Sequence, residues 1–170
     1  VTPGLIRHYF DSKEGLTRAA YRQLMDGMTL RSAEELSAAP SEPRARLAAF
    51  IAASMRPPVL DAQSVSLWAG FLHGVQQDPD MREVHRASYL VYRDQLENLI
   101  AALPRTRSPE QLRDDAIACN ALIDGLWLEG SLLTDAFTPA MLIRIALTAC
   151  GALLGVDLLS AHLPHAESLK

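Results

Sequence analysis

The stretch Val1-Thr2-Pro3-Gly4-Leu5-Ile6-Arg7-His8-Tyr9-Phe10-Asp11-Ser12-Lys13-Glu14-Gly15-Leu16 decides how the rest of the chain is read. Thr2 suits a helix N-cap and Pro3 the first helical position, where its missing N–H is not needed, so the pattern predicts a short helix here. Leu5, Ile6, Tyr9 and Phe10 recur at helical spacing on one apolar face. The opposite face carries Thr2, Pro3, Gly4, Arg7 and His8, with Lys13 just past the end. Small residues there permit close approach, and the cationic and hydrogen-bonding groups suit phosphates and base edges. Asp11-Ser12 breaks the helix, and Ser12 is placed to cap the next one.

Outward from this stretch the chain reads as all-α. Capping residues stand directly before proline at Thr2-Pro3, Asp78-Pro79, Ser108-Pro109 and Thr138-Pro139, each a helix start. A long helix is predicted over residues 12–37, with Leu16, Ala19, Ala20, Gln23, Leu24 and Met28 as its inner stripe. Ser41 is read as the cap of a helix through Leu47, Phe50, Ile51 and Met55 that stops at Pro57-Pro58. Asp61 opens another, bearing Val65, Trp68, Phe71, Leu72 and Val75. Further helices are predicted over residues 79–103, 109–134 and 139–156. The last two are apolar on more of their circumference than one core contact requires, so a second copy of the chain is expected to cover them.

With 170 residues and 49% hydrophobic content the chain has the size and composition of one folded body. Aromatics are only 6%, and Ala and Leu dominate, which also favours helices. Residues 1–31 hold five Lys/Arg against three Asp/Glu, +2 in a chain whose total is −4, so the remainder carries −6. A mildly basic end fits a polyanion and an acidic body does not. Cys119 and Cys150 lie in apolar helical patterns without metal-ligand spacing and read as small buried residues in a reducing cytosol. No apolar run reaches the roughly 20 residues that span a bilayer, so the expectation is a cytoplasmic protein with no membrane partner.

The opening stretch resembles the recognition helix of the TetR family of helix-turn-helix regulators, whose V-[ST]-x-G-x-[LI]-x-x-[YH]-F-x-[SND]-K-x-x-L pattern is matched by Val1, Thr2, Gly4, Ile6, Tyr9, Phe10, Ser12, Lys13 and Leu16. A second block, Ala121-Leu122-Ile123-Asp124-Gly125-Leu126-Trp127-Leu128-Glu129, is similar to the BetI type of C-terminal domain within that family. So are Leu67-Trp68-Ala69-Gly70-Phe71 and the Asp78-Pro79 start with His85 beyond it. The resemblance implies a TetR-like helical bundle: residues 1–11 as the end of a helix-turn-helix domain, 12–37 as a connecting helix, 41–160 as an effector-binding and dimerisation domain, and 161–170 as a tail. Family members carry two further helices ahead of this point, so the chain as written is expected to lack part of the DNA-binding domain and not to bind DNA normally.

Carried over residue by residue, the resemblance implies that Thr2, Pro3, Gly4 and Arg7 face the major groove and that His8, Tyr9 and Lys13 hold phosphates. Arg7 replaces the aromatic residue commonest at its position, so an operator sequence cannot be borrowed from relatives. The expected partners are a second copy of the chain, double-stranded operator DNA and a small-molecule effector, and the expected role is that of a repressor released by that effector. Trp68, Phe71, Tyr89, Tyr92, Asn120, Asp124 and Trp127 are the candidate effector contacts, since aromatic walls with a carboxylate suit a quaternary ammonium; ordinary core packing is the alternative for each aromatic. Leu122, Leu126, Leu133, Leu142, Ile145, Ala149 and Leu153 are the candidate dimer contacts.

Enzymatic chemistry has little footing in the sequence. No nucleophile elbow, phosphate-binding glycine loop or zinc-protease helix occurs. His73 and His85 stand near Asp78, Asp80 and Glu83 in sequence but form no compact ligand motif, so neither metal nor cofactor is expected. The competing reading is a helical small-molecule-binding or protein-interaction module without DNA binding.

Overall fold

The computed structural model describes residues 12–56, 62–133 and 135–162, and every regular element among them is helical. In chain order these are α1 (Lys13–Ala38), α2 (Pro43–Ser54), α3 (Ala62–Gln77), α4 (Pro79–Ala101), α5 (Pro109–Leu132), α6 (Pro139–Leu154) and the single turn α7 (Leu159–His162). The segment carrying Thr2, Pro3, Gly4, Arg7, His8 and Tyr9 lies outside the described residues, while Lys13 is exposed at the first position of α1.

Local chemistry sets most of the helix starts. The Ser12 hydroxyl accepts from the Gly15 N–H at 2.9 Å, and the Asp78 carboxylate accepts from the Asp80 N–H at 2.9 Å. Ser108 and Gln111 form a reciprocal capping box, and the Thr138 hydroxyl accepts from the Met141 N–H at 3.2 Å. The start of α2 corrects the sequence reading: Glu42, not Ser41, is the cap, its carboxylate accepting from the Ala45 N–H at 2.8 Å. Pro43 fixes φ at the first helical position, so the cap must be the residue just before it.

Helix α2 occupies the centre, with Leu47, Ala48, Phe50, Ile51 and Ala52 all at 0% exposure. Around it α1, α4, α5, α6 and α7 contribute to one main core that includes Met28, Leu96, Ile100, Ile123, Trp127, Leu147 and Leu154. A second, smaller core joins Tyr21 of α1 to Trp68 of α3 and to Met81 and Val84 of α4, with Phe71, Leu72 and Val75 packed on it. The inner face of α1 differs from the expected one. Ala19, Ala20 and Gln23 are exposed, and the buried stripe runs through Tyr21, Met28 and Ser32. Bulk decides the rotation, because burying a tyrosine ring removes far more apolar area than burying an alanine methyl.

After α6 the described chain makes a close turn before a last helical turn. Gly155 ends α6 in the left-handed region, φ 69° and ψ 32°, and the Val156 N–H donates back to the Gly151 carbonyl at 2.9 Å. The chain folds so closely over Gly151 that a Cβ there would stand 2.6 Å from the Val156 oxygen. This turn delivers Leu158 into the main core at 0% exposure, and α7 follows, capped by Asp157. The body therefore continues through His162, past the expected start of a tail at residue 161.

Candidate functional site

A small closed cavity lies between α1, α3, α4 and α5, its free volume about 40 Å³. Helix α1 supplies Met25, Met28, Thr29 and Ser32, and α3 supplies Trp68. Helix α4 contributes His85, Tyr89 and Tyr92 at successive turns, and α5 contributes Asn120, Ile123, Asp124 and Trp127. Two larger grooves, about 510 and 770 Å³, are open troughs edged by charged side chains such as Arg22 and Glu83 or Glu35 and Arg44. Of the three, the small cavity has the most apolar lining, as suits a site that selects a small molecule by its shape.

Of the seven effector contacts read from the sequence, six line this cavity. Phe71 does not: its ring packs on Tyr21 at 4.9 Å, in the smaller core. Met25, Met28, Thr29, Ser32, His85 and Ile123 also line it and were not anticipated as contacts, although Met28 was placed on the inner face of α1 and His85 was weighed as a metal ligand. Among the described residues no group of three His, Cys, Asp or Glu side chains could hold a metal ion.

The walls are largely spoken for. Trp68 and Trp127 meet edge to face, centroids 6.0 Å apart. The Trp127 indole N–H donates to the Ser54 carbonyl at 2.7 Å. The Ser54 hydroxyl lies 2.7 Å from the Tyr92 hydroxyl and 3.2 Å from the Phe50 carbonyl. With the serine proton given to that carbonyl, Tyr92 donates to Ser54 and turns only lone pairs elsewhere. His85 and Tyr21 share a hydrogen bond of 2.7 Å, and burial pushes the His85 pKa down, favouring the neutral ring. The cavity thus offers π-faces, thioethers and acceptors, and few spare donors.

Asp124 is the exception to this self-sufficiency. It receives one hydrogen bond, from the Asn120 amide at 3.1 Å, and forms no ion pair among the described residues. Burial raises its pKa from 3.8 to about 6, the Asn120 bond opposing that shift. Burial, helped by the Asp124 charge, raises Tyr21 to about 12. At neutral pH the cavity holds a carboxylate with no cation to answer it.

On the side of α5 adjoining the cavity-lining face an apolar stripe stands open. Ile117 (42%), Leu128 (43%) and Leu132 (71%) are exposed at helical spacing, with Ala121 and Gly125 between them. Leu133 and, on α6, Met141 and Leu153 are exposed as well, and Ile145 and Ala149 are half-buried. Leu142 is a correction to the expected seam: it is 2% exposed and packs in the core of its own chain. Leu122 and Leu126 are half-buried against that same core, so the outward stripe of α5 is the one through Ile117 and Leu132. An apolar circumference says that a helix is covered twice, not which side belongs to which cover.

Residues 43–155 match the family of BetI-type transcriptional repressors, over the C-terminal domain. The chain belongs to the BetI type of TetR regulators. The BetI helix-turn-helix regulator of Burkholderia thailandensis is 31% identical over 146 residues, covering 86% of this chain and 73% of that protein. The BetI of Burkholderia lata is 29% identical over 158 residues, covering 92% and 79%. A crystal structure of a transcriptional regulator from Pseudomonas aeruginosa PAO1 superposes with a TM-score of 0.81 at 31% identity, over 95% of this chain and 77% of that one. A Rhodococcus regulator shares the fold at a TM-score of 0.74 and 21% identity. This BetI-type chain is accordingly a TetR-type DNA-binding transcriptional regulator and not an enzyme. That membership decides against a helical module unconnected with DNA. No helix among the described residues is long and apolar enough to cross a membrane.

Proposed function

We propose that this regulator is a homodimeric repressor whose effector is a small organic cation bound in the α1/α3/α4/α5 cavity. The observation that carries the reading is Asp124, a half-buried carboxylate without an ion pair in a chamber walled by Trp68, Tyr89, Tyr92 and Trp127. An uncompensated buried charge is costly, and a cation against aromatic faces would repay that cost. A methylated ammonium suits the chamber's π-faces and thioethers, because its charge is spread over methyl groups that pack against them. A free volume of about 40 Å³ holds roughly three water molecules. Binding therefore has to part the walls, and a ligand that prefers the parted state shifts the equilibrium toward it.

Dimerisation is proposed through the open faces of α5 and α6, with Ile117, Leu128, Leu132, Ile145, Ala149 and Leu153 in a four-helix seam. A seam of that length would bury on the order of 1,000 Å² or more, the scale of stable association. DNA contact is proposed through Thr2, Pro3, Gly4 and Arg7 in the major groove, with His8, Tyr9 and Lys13 on phosphates. Titration calorimetry with choline tests the effector reading. Choline is expected to bind the wild type and to lose most of its affinity with Asp124→Asn, and to weaken with Trp68→Ala. No heat with the wild type, or equal affinity in all three proteins, would overturn it.

A further inference from the structure

Helix α1 is held by two cores, with Leu24 and Met25 packed against both. Its C-terminal half enters the main core through Met28 and Ser32. In residues 12–27 the one buried side chain is Tyr21, at 0% exposure, and it belongs to the smaller core with Trp68 and Val84. The cavity lies between the two cores, with Trp68 and His85 on the small side and Ile123 and Trp127 on the main side. Widening it by parting the two cores would carry α3 and the first half of α4 away from the centre.

Tyr21 is fastened to that departing half. Its hydroxyl and His85 Nδ1 are 2.7 Å apart, and the two rings stack with centroids at 6.1 Å and planes 9° apart. One turn earlier Arg18 pairs with Asp80 and, at 3.7 Å, with Asp78, at the corner where α4 begins. Between the two grips stands Gly27, exposed, with nothing within 4 Å of the place a Cβ would take. Glycine is the weakest helix former in this part of α1; half-buried Leu24 and Met25, just before it, touch both cores, and the first fully main-core side chain, Met28, comes just after it.

We infer that the Tyr21–His85 pair is the latch that ties the first half of α1, next to the DNA-contacting segment, to the movable wall of the cavity, with α1 bending at Gly27. The effector reading supplies the cause of wall movement, but the latch itself is a property of the unliganded chain. Tyr21→Phe keeps the ring against Phe71 and removes only the hydroxyl, so it uncouples the two without emptying the core.

Hydrogen–deuterium exchange on the unliganded chain tests this. Tyr21→Phe is expected to speed exchange about fivefold at residues 13–26, the worth of one net hydrogen bond, with residues 28–38 and α2 unchanged. His85→Phe should do the same, and the double variant should add little to either single one. Uniform acceleration through α1 and α2, or no change at residues 13–26, would overturn the latch. Choline as probe then separates the two proposals: in the wild type it should alter exchange at residues 13–26, and in Tyr21→Phe it should bind without doing so. If calorimetry shows no choline binding, the effector reading fails, and the unliganded comparison still decides the latch.

Discussion

Asp124→Asn is the most informative single change, because the carboxylate is held where the fold alone would not want it. Its pKa stands at about 6 instead of 3.8. A displacement of that size corresponds to about 3 kcal/mol of native-state preference for the protonated form. Between about pH 4 and pH 6 the folded chain binds a proton that the unfolded chain has released, so wild-type stability falls as pH rises through that window and stays depressed above it. Asparagine cannot titrate, so the variant lacks this slope. Its new amide N–H needs a partner, and an unmet donor would cost about 1–3 kcal/mol at every pH alike. The absolute stability of the variant therefore matters less than the difference between the two proteins, in which all other titrating groups cancel. Urea denaturation at pH 4.5, 6.0 and 7.5 should show that difference moving in favour of the variant by about 2 kcal/mol, since about 1 of the 3 is already lost at pH 4.5. A difference flat across pH would mean that Asp124 is solvated, and the argument for a cationic effector would fall with it.

Three other outcomes follow from the geometry. Leu132→Glu, at a side chain 71% exposed in the protomer, should leave the fold intact and produce monomers in sedimentation at micromolar concentration, where the wild type is expected to sediment as a dimer. Gly151→Ala would set a Cβ 2.6 Å from the Val156 carbonyl oxygen, which is backbone and cannot swing aside, so denaturant unfolding should register a loss of about 1–3 kcal/mol. Lys13→Ala, at an exposed position, should weaken operator binding by the protein carrying the complete helix-turn-helix domain alike for all sequences in a gel-shift titration, and flatten the salt dependence by about one per half-site.

How much of this was legible in the sequence depends on the range of the interaction that fixes each feature. Asp78-Pro79, Ser108-Pro109 and Thr138-Pro139 announce helices because a cap and a preset φ act within one turn, and the structure starts α4, α5 and α6 at those prolines. Glu42 was passed over for Ser41, a better cap by type but one residue too early for Pro43. The face of α1 was misjudged for a different reason. Apolar spacing counted Ala19 and Ala20 as inward, whereas Ser32, polar and hidden from any such count, is fully buried beside Ser54, 3.4 Å away on α2. A contact between residues 22 positions apart leaves no periodic trace. Leu142 and the stripe from Ile117 to Leu132 show the same limit, since both faces of α5 and α6 are apolar and only packing assigns one of them inward.

The cavity is legible where the sequence breaks its own pattern: Asn120 and Asp124 are polar residues on a helical face that otherwise points inward, and each demands a partner once buried, as does His85, which the sequence does not mark as a contact. His85 has Tyr21 and Asn120 has Asp124. Asp124 has only an amide, which answers its hydrogen-bonding need and not its charge. Among the described residues, where Arg105 pairs with Asp115 and the Trp127 indole has a carbonyl, a carboxylate in the cavity without a cation beside it is out of keeping with its surroundings. The physical cost of holding it ionised is of the same kind as the coupling energy, typically about 1–3 kcal/mol, by which a regulator's two states are separated. A cation entering the cavity removes that cost in whichever state admits it, and so biases the position of α1 through the residues that bind α1 to the cavity wall.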